Sequence, residues 1–201
     1  MNKKIILFDW DDTLFSKYLY KKNLITNLAR VCKITEEEAT KIDDEYLNNL
    51  AKSGDFKIKN FLKTFENKSL EKIYVKDFNT DKLGIYSSSL FSETIEILEK
   101  LKKKYRVGIY SQGYVSLQRL KIKYSGIEDF FDKNLIFIDR NKTQNQFIQK
   151  LPKGSVVVDD KKEVIEILKQ LRPDLELIWV NRINEEIIDE VKTIKSLNEL
   201  I

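Results

Sequence analysis

The chain has 201 residues, of which 42% are hydrophobic and 34% charged, and its formal net charge is +4 at pH 7. This composition is typical of a soluble globular protein, and no apolar run approaches the ~20 residues that a membrane span needs. Lysines alternate with acidic residues along most of the chain, so the positive charge is dispersed. We therefore expect no nucleic-acid partner and no membrane partner.

The sequence contains a single cysteine, Cys32, and no histidine. One cysteine excludes an intramolecular disulfide and any cysteine-based metal site. The absence of histidine excludes serine–histidine and cysteine–histidine nucleophiles and most transition-metal sites. Catalysis by this chain must therefore use carboxylates, lysines, hydroxyls and hard cations.

The first predicted element is a β-strand over residues 4–8, an apolar run that ends immediately before Asp9. Its apolar part is too short for the core of a secretory signal, so we expect a cytoplasmic protein. From residue 17 to residue 85 the apolar residues recur at helical spacing and indicate an all-helical insert. Within it, Thr35 followed by three glutamates predicts the start of a helix.

Four more apolar runs follow the insert and predict β-strands over residues 106–110, 135–138, 155–158 and 175–180. A helix-like stretch follows each run, and this alternation predicts an α/β fold with a doubly wound, Rossmann-like parallel sheet. The chain is accordingly divided into a core domain, residues 1–16 and 86–201, and a helical insert, residues 17–85.

Acidic residues follow two of the predicted strands. Asp9, Asp11 and Asp12 come after the first strand, and Asp159 and Asp160 come after the strand at 155–158. Carboxylates so close together repel one another unless a positive charge is bound between them. Because the carboxyl ends of parallel strands meet at one edge of a sheet, the two clusters predict a Mg²⁺ site there.

A third strand end leads into Ser111, Gln112 and Gly113, a hydroxyl and a small turn that precede a predicted helix. Backbone N–H groups at the start of a helix bind phosphate oxygens well. This turn therefore predicts a phosphate-binding loop.

These motifs, in this order, resemble those of the haloacid dehalogenase-like hydrolase superfamily, in its subgroup with a helical cap. The first signature, an apolar strand that runs into Asp-x-Asp-x-Thr, is matched by ILFDWDDTL at residues 6–14. The second is matched by VGIYSQG at 107–113 and the fourth by SVVVDDKKE at 155–163. Three ordered motifs are far more specific than any one of them alone.

The third signature is a lysine between the second and fourth motifs, often before a proline-containing stretch. Lys142 has a suitable place without that proline, and Lys133 is its rival. Gln112 also departs from the asparagine often seen after the motif-two hydroxyl, which leaves the role of its side chain open.

The resemblance implies a mechanism for the acidic residues. Asp9 would attack phosphorus and form an aspartyl-phosphate, and Asp11 would protonate the leaving alcohol and then activate water. Mg²⁺ would be held by Asp9 and Asp160, by Asp11 through its backbone carbonyl, and with Asp159 close by.

The resemblance also implies how the phosphoryl group is held. Ser111, Gln112, Gly113 and Lys142 would contact it, with Thr13 and Glu163 as supporting residues. The helical insert would act as a cap that excludes water and selects the substrate.

The expected activity is that of a phosphatase for a small phosphorylated metabolite. A phosphomutase of the same superfamily, and a binding or regulatory module without turnover, stay open as alternatives. A dehalogenase is disfavoured because that reaction does not need a second acid at Asp11. Both a monomer and a homodimer stay open.

Overall fold

The computed structural model describes residues 3–50, 54–66, 78 and 80–201. Residues 51–53, 67–77 and 79 of the predicted insert therefore lie outside the described part. The strands are β1 (Lys4–Phe8), β2 (Tyr105–Gln112), β3 (Ile136–Asp139), β4 (Val156–Asp159), β5 (Glu176–Val180) and β6 (Lys192–Ile194). The α-helices are α1 (Lys17–Cys32), α2 (Glu36–Leu50), α3 (Ile58–Glu66), α4 (Thr94–Lys102), α5 (Val115–Tyr124), α6 (Asn145–Ile148) and α7 (Lys162–Leu171). Short 3₁₀ helices span Ser87–Ser89, Glu128–Phe130, Lys133–Leu135 and Leu197–Leu200.

The strands form one six-stranded parallel sheet in the order β3-β2-β1-β4-β5-β6. This arrangement confirms the predicted α/β fold, and all five predicted strands are present. The sequence did not indicate β6, which has only three residues. The order reverses at β1, which lies between β2 and β4, and ligands of open α/β sheets bind at such a point, outside the carboxyl ends of the strands.

The register of the sheet aligns the ends of the strands that carry the acidic residues. Phe8 of β1 lies opposite Ile109 of β2 and Val158 of β4. The next residue, Asp9, donates its backbone N–H to the carbonyl oxygen of Val158 at 2.8 Å. Asp9 and Asp159 therefore leave the sheet side by side.

The chain divides into two compact units. The first contains the residues up to Phe15 together with Phe91–Gly113 and Ile127–Ile201. On one face of its sheet, Leu7 and Val157 are buried in a cluster with Ile165 and Leu168 of α7. Strands covered by helices are apolar along their whole length, which explains the continuous VVV run of β4.

The second unit contains Ser16–Leu90 and Tyr114–Gly126. Its core includes Leu28, Phe61 and Tyr86. The predicted helix start at Thr35 is confirmed, because its hydroxyl accepts the N–H of Glu38 at 3.1 Å while the Glu38 carboxylate accepts the N–H of Thr35 at 2.8 Å. Helix α5 groups with this unit although it follows β2 in the chain, since its apolar side chains pack against the same core.

Within the described ranges, no helix combines the length and the hydrophobicity that crossing a bilayer requires.

Gly108 in β2 provides a test of the packing around the sheet. A Cβ atom at this position would lie 2.4 Å from the carbonyl oxygen of Leu135 and 2.7 Å from Cδ2 of Leu7. Since a backbone oxygen cannot move aside cheaply, we expect Gly108→Ala to lower the free energy of unfolding by about 1–3 kcal/mol. Urea unfolding followed by circular dichroism measures this change.

Gly154→Ala is the matched control for Gly108→Ala. A Cβ atom at Gly154 meets nothing within 4 Å, but its φ of +69° disfavours a side chain. The free energy of unfolding of Gly154→Ala should therefore fall by about 1 kcal/mol, from backbone strain alone. A Gly108→Ala variant as stable as the parent would contradict the close approach of Leu135.

Candidate active site

The turn after β1 is fixed by its own backbone. The carbonyl oxygen of Trp10 accepts the N–H groups of Leu14 and Phe15 at 3.1 and 3.0 Å, and the N–H of Asp12 donates to the carbonyl oxygen of Phe15 at 2.6 Å. Asp12 has a φ of +64°, a left-handed conformation that aspartate tolerates better than most residues. The sequence after Asp9 therefore folds into a defined loop at the strand end.

Three carboxylates converge at the ends of β1 and β4. Each of Asp9, Asp159 and Asp160 has an oxygen atom within 4.8 Å of the others. Asp9 is 2% exposed and Asp159 is fully buried. Burial, with a contribution from the Asp9 charge, raises the pKa of Asp159 to about 6 and that of Asp160 to about 8. The cluster therefore favours any bound positive charge.

Lys142 supplies one such charge from the segment between β3 and α6. Its side chain is fully buried, and Nζ lies 2.5 Å from Asp159 Oδ2 and 2.9 Å from Asp9 Oδ1. Burial by itself would lower the pKa of Lys142, but the two carboxylates outweigh it and raise the pKa. The rival lysine, Lys133, is exposed in the 3₁₀ helix Lys133–Leu135.

Tyr110 holds the backbone of Lys142 in place. Its hydroxyl donates to the carbonyl oxygen of Lys142, and Nζ of Lys142 lies 5.2 Å from the centre of the Tyr110 ring. Burial also raises the pKa of Tyr110, so its phenol stays protonated as a hydrogen-bond donor. One aromatic residue of β2 therefore fixes the lysine at both its backbone and its side chain.

The three carboxylates are suited to a divalent cation. Lys142 offsets only part of their charge, and their ligand atoms are all oxygens, which hard cations such as Mg²⁺ prefer. Asp9 Oδ1 is also buried, and a described cation, Nζ of Lys142, lies 2.9 Å from it. A carboxylate oxygen has two lone pairs, so Asp9 Oδ1 can bind a second cation beside the ammonium of Lys142.

The predicted phosphate loop lies at the end of the neighbouring strand. Ser111 is fully buried in β2, opposite Ile138. The Gln112 side chain accepts a hydrogen bond from Lys161 Nζ at 3.4 Å. The N–H of Gly113 donates to the carbonyl oxygen of Asp139 at 2.9 Å, so this N–H group is already used in a hydrogen bond at the end of the sheet. Phosphate binding by these three residues stays a prediction.

The other predicted site residues differ in their surroundings. Thr13 is fully buried and its hydroxyl donates to Asp160 Oδ1 at 3.3 Å. Asp11 is half-buried in the turn, where it forms a bridge with Phe15. Glu163 is exposed in the first turn of α7. The structure thus connects Thr13 to the carboxylate cluster and leaves Glu163 at the surface.

Sequence reasoning missed two residues at the end of β5. Trp179 donates its indole N–H to the carbonyl oxygen of Asp160 at 2.9 Å, and Arg182 donates to that of Thr13 at 3.2 Å. Both residues line a cleft of about 480 Å³ together with Asp12 and Asp160. The general rule that ligands bind beyond strand ends, applied to β5 as well, would have indicated them.

Comparison with known proteins finds one matching family and several solved structures of similar fold. Residues 3–180 match the model of the haloacid dehalogenase-like hydrolases. A comparison with curated proteins found no significant match. Among solved structures, a HAD phosphatase from Thermococcus onnurineus is similar with a TM-score of 0.60 at 22% identity, covering 98% of this chain and 95% of that one.

Two further solved structures have the same fold. YfnB from Bacillus subtilis, a candidate HAD-hydrolase bound to magnesium, has a TM-score of 0.60 at 15% identity, covering 100% of this chain and 97% of that one. The L-2-haloacid dehalogenase from Xanthobacter autotrophicus has a TM-score of 0.57 at 14% identity, with coverage of 100% and 97%. At these identities the likeness shows the fold alone.

Lys142→Met tests the charge balance of the cluster. The variant buries carboxylates without their cation, so we expect the free energy of unfolding in EDTA to fall by about 3–5 kcal/mol. Chemical denaturation measures this change. Lys100→Met is the matched control, because Lys100 pairs with Glu96 at 2.6 Å on an exposed surface and should contribute about 0–1 kcal/mol.

A second substitution tests the cause of that loss. Asp159→Asn combined with Lys142→Met removes one of the unpaired charges, so the double variant should recover part of the stability. A Lys142→Met variant that unfolds at the same denaturant concentration as the parent would contradict the buried ion pairs.

Proposed function

Because the chain belongs to the haloacid dehalogenase-like hydrolase family, whose model matches residues 3–180, we propose that it is a Mg²⁺-dependent phosphatase. In this proposal it hydrolyses a small phosphorylated metabolite through an aspartyl-phosphate on Asp9. The observation that carries the proposal is the convergence of Asp9, Asp159 and Asp160 at the ends of β1 and β4, where the buried Lys142 pairs with Asp9 and Asp159. Family membership alone leaves the reaction open, since the similar folds include both a phosphatase and dehalogenases.

In the first step an Asp9 oxygen attacks phosphorus. A bond forms between them while the bond from phosphorus to the leaving oxygen breaks. A carboxylate that approaches an anionic phosphate is repelled, and the ammonium of Lys142, 2.9 Å from Asp9 Oδ1, reduces that repulsion. Asp9 and Asp160, with Asp159 nearby, would hold Mg²⁺, which would supply further positive charge against this repulsion.

Asp11 acts as the general acid in the first step and as the general base in the second. It gives a proton to the leaving alkoxide, and in the second step it takes one from the water that attacks the phosphorus of the intermediate. Phosphate leaves and the Asp9 carboxylate is restored. Ser111, at the buried end of the neighbouring strand, is proposed to hold a phosphoryl oxygen.

The presence of Asp11 favours a phosphatase over a dehalogenase. A halide leaves carbon as a stable anion without a proton, whereas an alkoxide that leaves phosphorus needs one. A second acid placed two residues after the nucleophile therefore has a use in phosphate ester hydrolysis that it lacks in dehalogenation.

The remaining expectations stay predictions. They are that the helical insert at residues 17–85 is a substrate-selecting cap, that the protein is cytoplasmic, and that it is a monomer or a homodimer.

Asp9→Asn tests the nucleophile. An amide is a far weaker nucleophile than a carboxylate, so we expect phosphate release from p-nitrophenyl phosphate and from a panel of sugar phosphates to fall by a factor on the order of 10⁴ or more. The released phosphate is measured colorimetrically, in Mg²⁺ and in excess EDTA, and EDTA should stop the parent reaction reversibly. Asp129→Asn is the matched control, because Asp129 is exposed outside the cluster.

The products separate the rival functions. Isomerised phosphosugar without free phosphate would indicate a phosphomutase, and halide release from 2-chloropropionate would indicate a dehalogenase. Binding of phosphorylated ligands without turnover would indicate a regulatory module. Full phosphatase activity in Asp9→Asn would contradict the proposed mechanism.

Asp11→Asn tests the general acid. With an alkyl phosphate the leaving alkoxide needs a proton, so we expect the turnover rate to fall by about 10²–10⁴-fold. With p-nitrophenyl phosphate the leaving group is a stable anion, so the loss should be much smaller. The measurement is the ratio of the two rates in the variant and in the parent. An equal loss with both substrates would show that Asp11 does not protonate the leaving group.

A further inference from the structure

Arg182, which belongs to none of the sequence motifs, contacts four of the described residues, and one of these contacts is a hydrogen bond from its Nη1 to the carbonyl oxygen of Lys195 at 3.5 Å. Its Nη2 donates to the carbonyl oxygen of Thr13 at 3.2 Å, and its Nη1 lies 2.9 Å from Glu93 Oε1. The guanidinium carbon lies 4.0 Å from the centre of the Phe91 ring. Stacking on an aromatic ring while bonding in two directions uses the planar fork of a guanidinium, which an ammonium lacks.

The partners of Arg182 are themselves fixed. The Glu93 side chain is 11% exposed, and its Oε1 also accepts a hydrogen bond from the hydroxyl of Ser196 at 3.3 Å. The backbone N–H of Phe91 donates to the carbonyl oxygen of Leu14 at 3.1 Å. Arg182 is therefore oriented by a scaffold and does not depend on a flexible surface contact.

The same scaffold holds the end of the turn that follows Asp9. The carbonyl oxygen of Leu14 accepts from Phe91 and also from the Thr94 hydroxyl at 2.9 Å, and that of Thr13 accepts from Arg182. The Thr13 side chain is fully buried and its hydroxyl donates to Asp160 Oδ1. Arg182 thus acts on a residue whose side chain links the two acidic loops by a hydrogen bond.

Asp160 is held at two points. Its carboxylate accepts from Thr13, and its backbone carbonyl accepts the indole N–H of Trp179 at 2.9 Å. Trp179 and Arg182 both come from the end of β5. This strand end therefore holds the backbone of Asp160 directly and its carboxylate through Thr13.

We propose that Arg182 is a positioning residue that fixes Thr13, so that the Thr13 hydroxyl holds the Asp160 carboxylate ready to bind a divalent cation. The inference rests on the proposed function, in which Asp160 is a ligand of Mg²⁺. Outer hydrogen-bond partners of metal ligands contribute about 10–100-fold to metal affinity. Loss of Arg182 should therefore weaken Mg²⁺ binding without removing any ligand atom.

The test is a Mg²⁺ titration of the full chain without substrate, followed by intrinsic fluorescence. Trp10 follows Asp9 in the sequence and the Trp179 indole bonds the backbone of Asp160, so this signal is expected to report binding independently of turnover. We expect Arg182→Met to raise the apparent Kd for Mg²⁺ by about tenfold. Arg182→Lys should be intermediate, because it keeps the charge but can bond in fewer directions.

Arg106→Met is the matched control. Arg106 also pairs with a carboxylate, Asp132, at 2.7 Å, but it lies near the opposite end of β2 from Ser111. Its removal should leave the Kd for Mg²⁺ unchanged. If Arg182→Met fails to fold, Glu93→Gln replaces it, because this variant loses the ion pair that orients Arg182 and keeps the arginine.

A double variant tests whether Arg182 acts through Thr13. Thr13→Val removes the hydroxyl that bonds Asp160, so Arg182→Met should raise the Kd much less in the Thr13→Val background than in the parent. Independent effects that multiply would overturn the proposed route. An unchanged Kd in Arg182→Met and in Glu93→Gln, with normal Mg²⁺ binding by the parent, would overturn this inference alone. If the parent itself bound no Mg²⁺, the proposed function would fail with it.

Discussion

The burial of two carboxylates, Asp9 and Asp159, against the ammonium of Lys142 and beside the half-buried Asp160 is the constraint on which this site depends. A charge removed from water is costly unless it is paired, and Asp159 and Lys142 are both fully buried. The ion pair between Asp159 and Lys142 forms because the backbone fixes the position of both residues. Asp159 ends a strand that is apolar on both sides, and the Tyr110 hydroxyl holds the backbone of Lys142. The fold therefore maintains a cluster of acidic groups that favours a bound positive charge.

The parallel sheet brings the acidic residues together at one edge. Because β1 lies between β2 and β4 in parallel register, residues far apart in sequence, such as Asp9 and Asp159, leave the sheet together. The order of the strands reverses at β1, which opens a crevice at their carboxyl ends. A phosphatase structure and a dehalogenase structure are similar to this chain in fold. The fold thus places Asp9, the proposed nucleophile, at this edge of the sheet, and in the proposal the neighbouring side chains determine the reaction.

Structural elements that depend on neighbouring residues could be predicted from the sequence, whereas contacts between residues far apart in the chain could not. Apolar runs followed by acids were enough to predict five strands, the parallel sheet and the helix that starts after Thr35. The strand β6 was missed because three residues are too few to show a period. The grouping of α5 with the helical unit was missed because it depends on packing after β2 and not on the position of α5 in the chain. The hydrogen bond from Arg182 to Thr13 joins residues 169 positions apart, and no spacing rule indicates it.

The two carboxyl groups closest to the chemistry differ in a way that matches their proposed roles. Asp9 is buried beside Lys142, and its N–H is tied to β4, so its position is fixed by the sheet. Asp11 lies two residues further on, half-buried in a turn. A nucleophile needs a fixed line of attack, whereas a group that gives a proton to one oxygen and takes a proton from another must reach both a leaving alcohol and a water. The short loop after β1 therefore separates a rigid carboxylate from a more accessible one, which is the division of labour that hydrolysis of an aspartyl-phosphate requires.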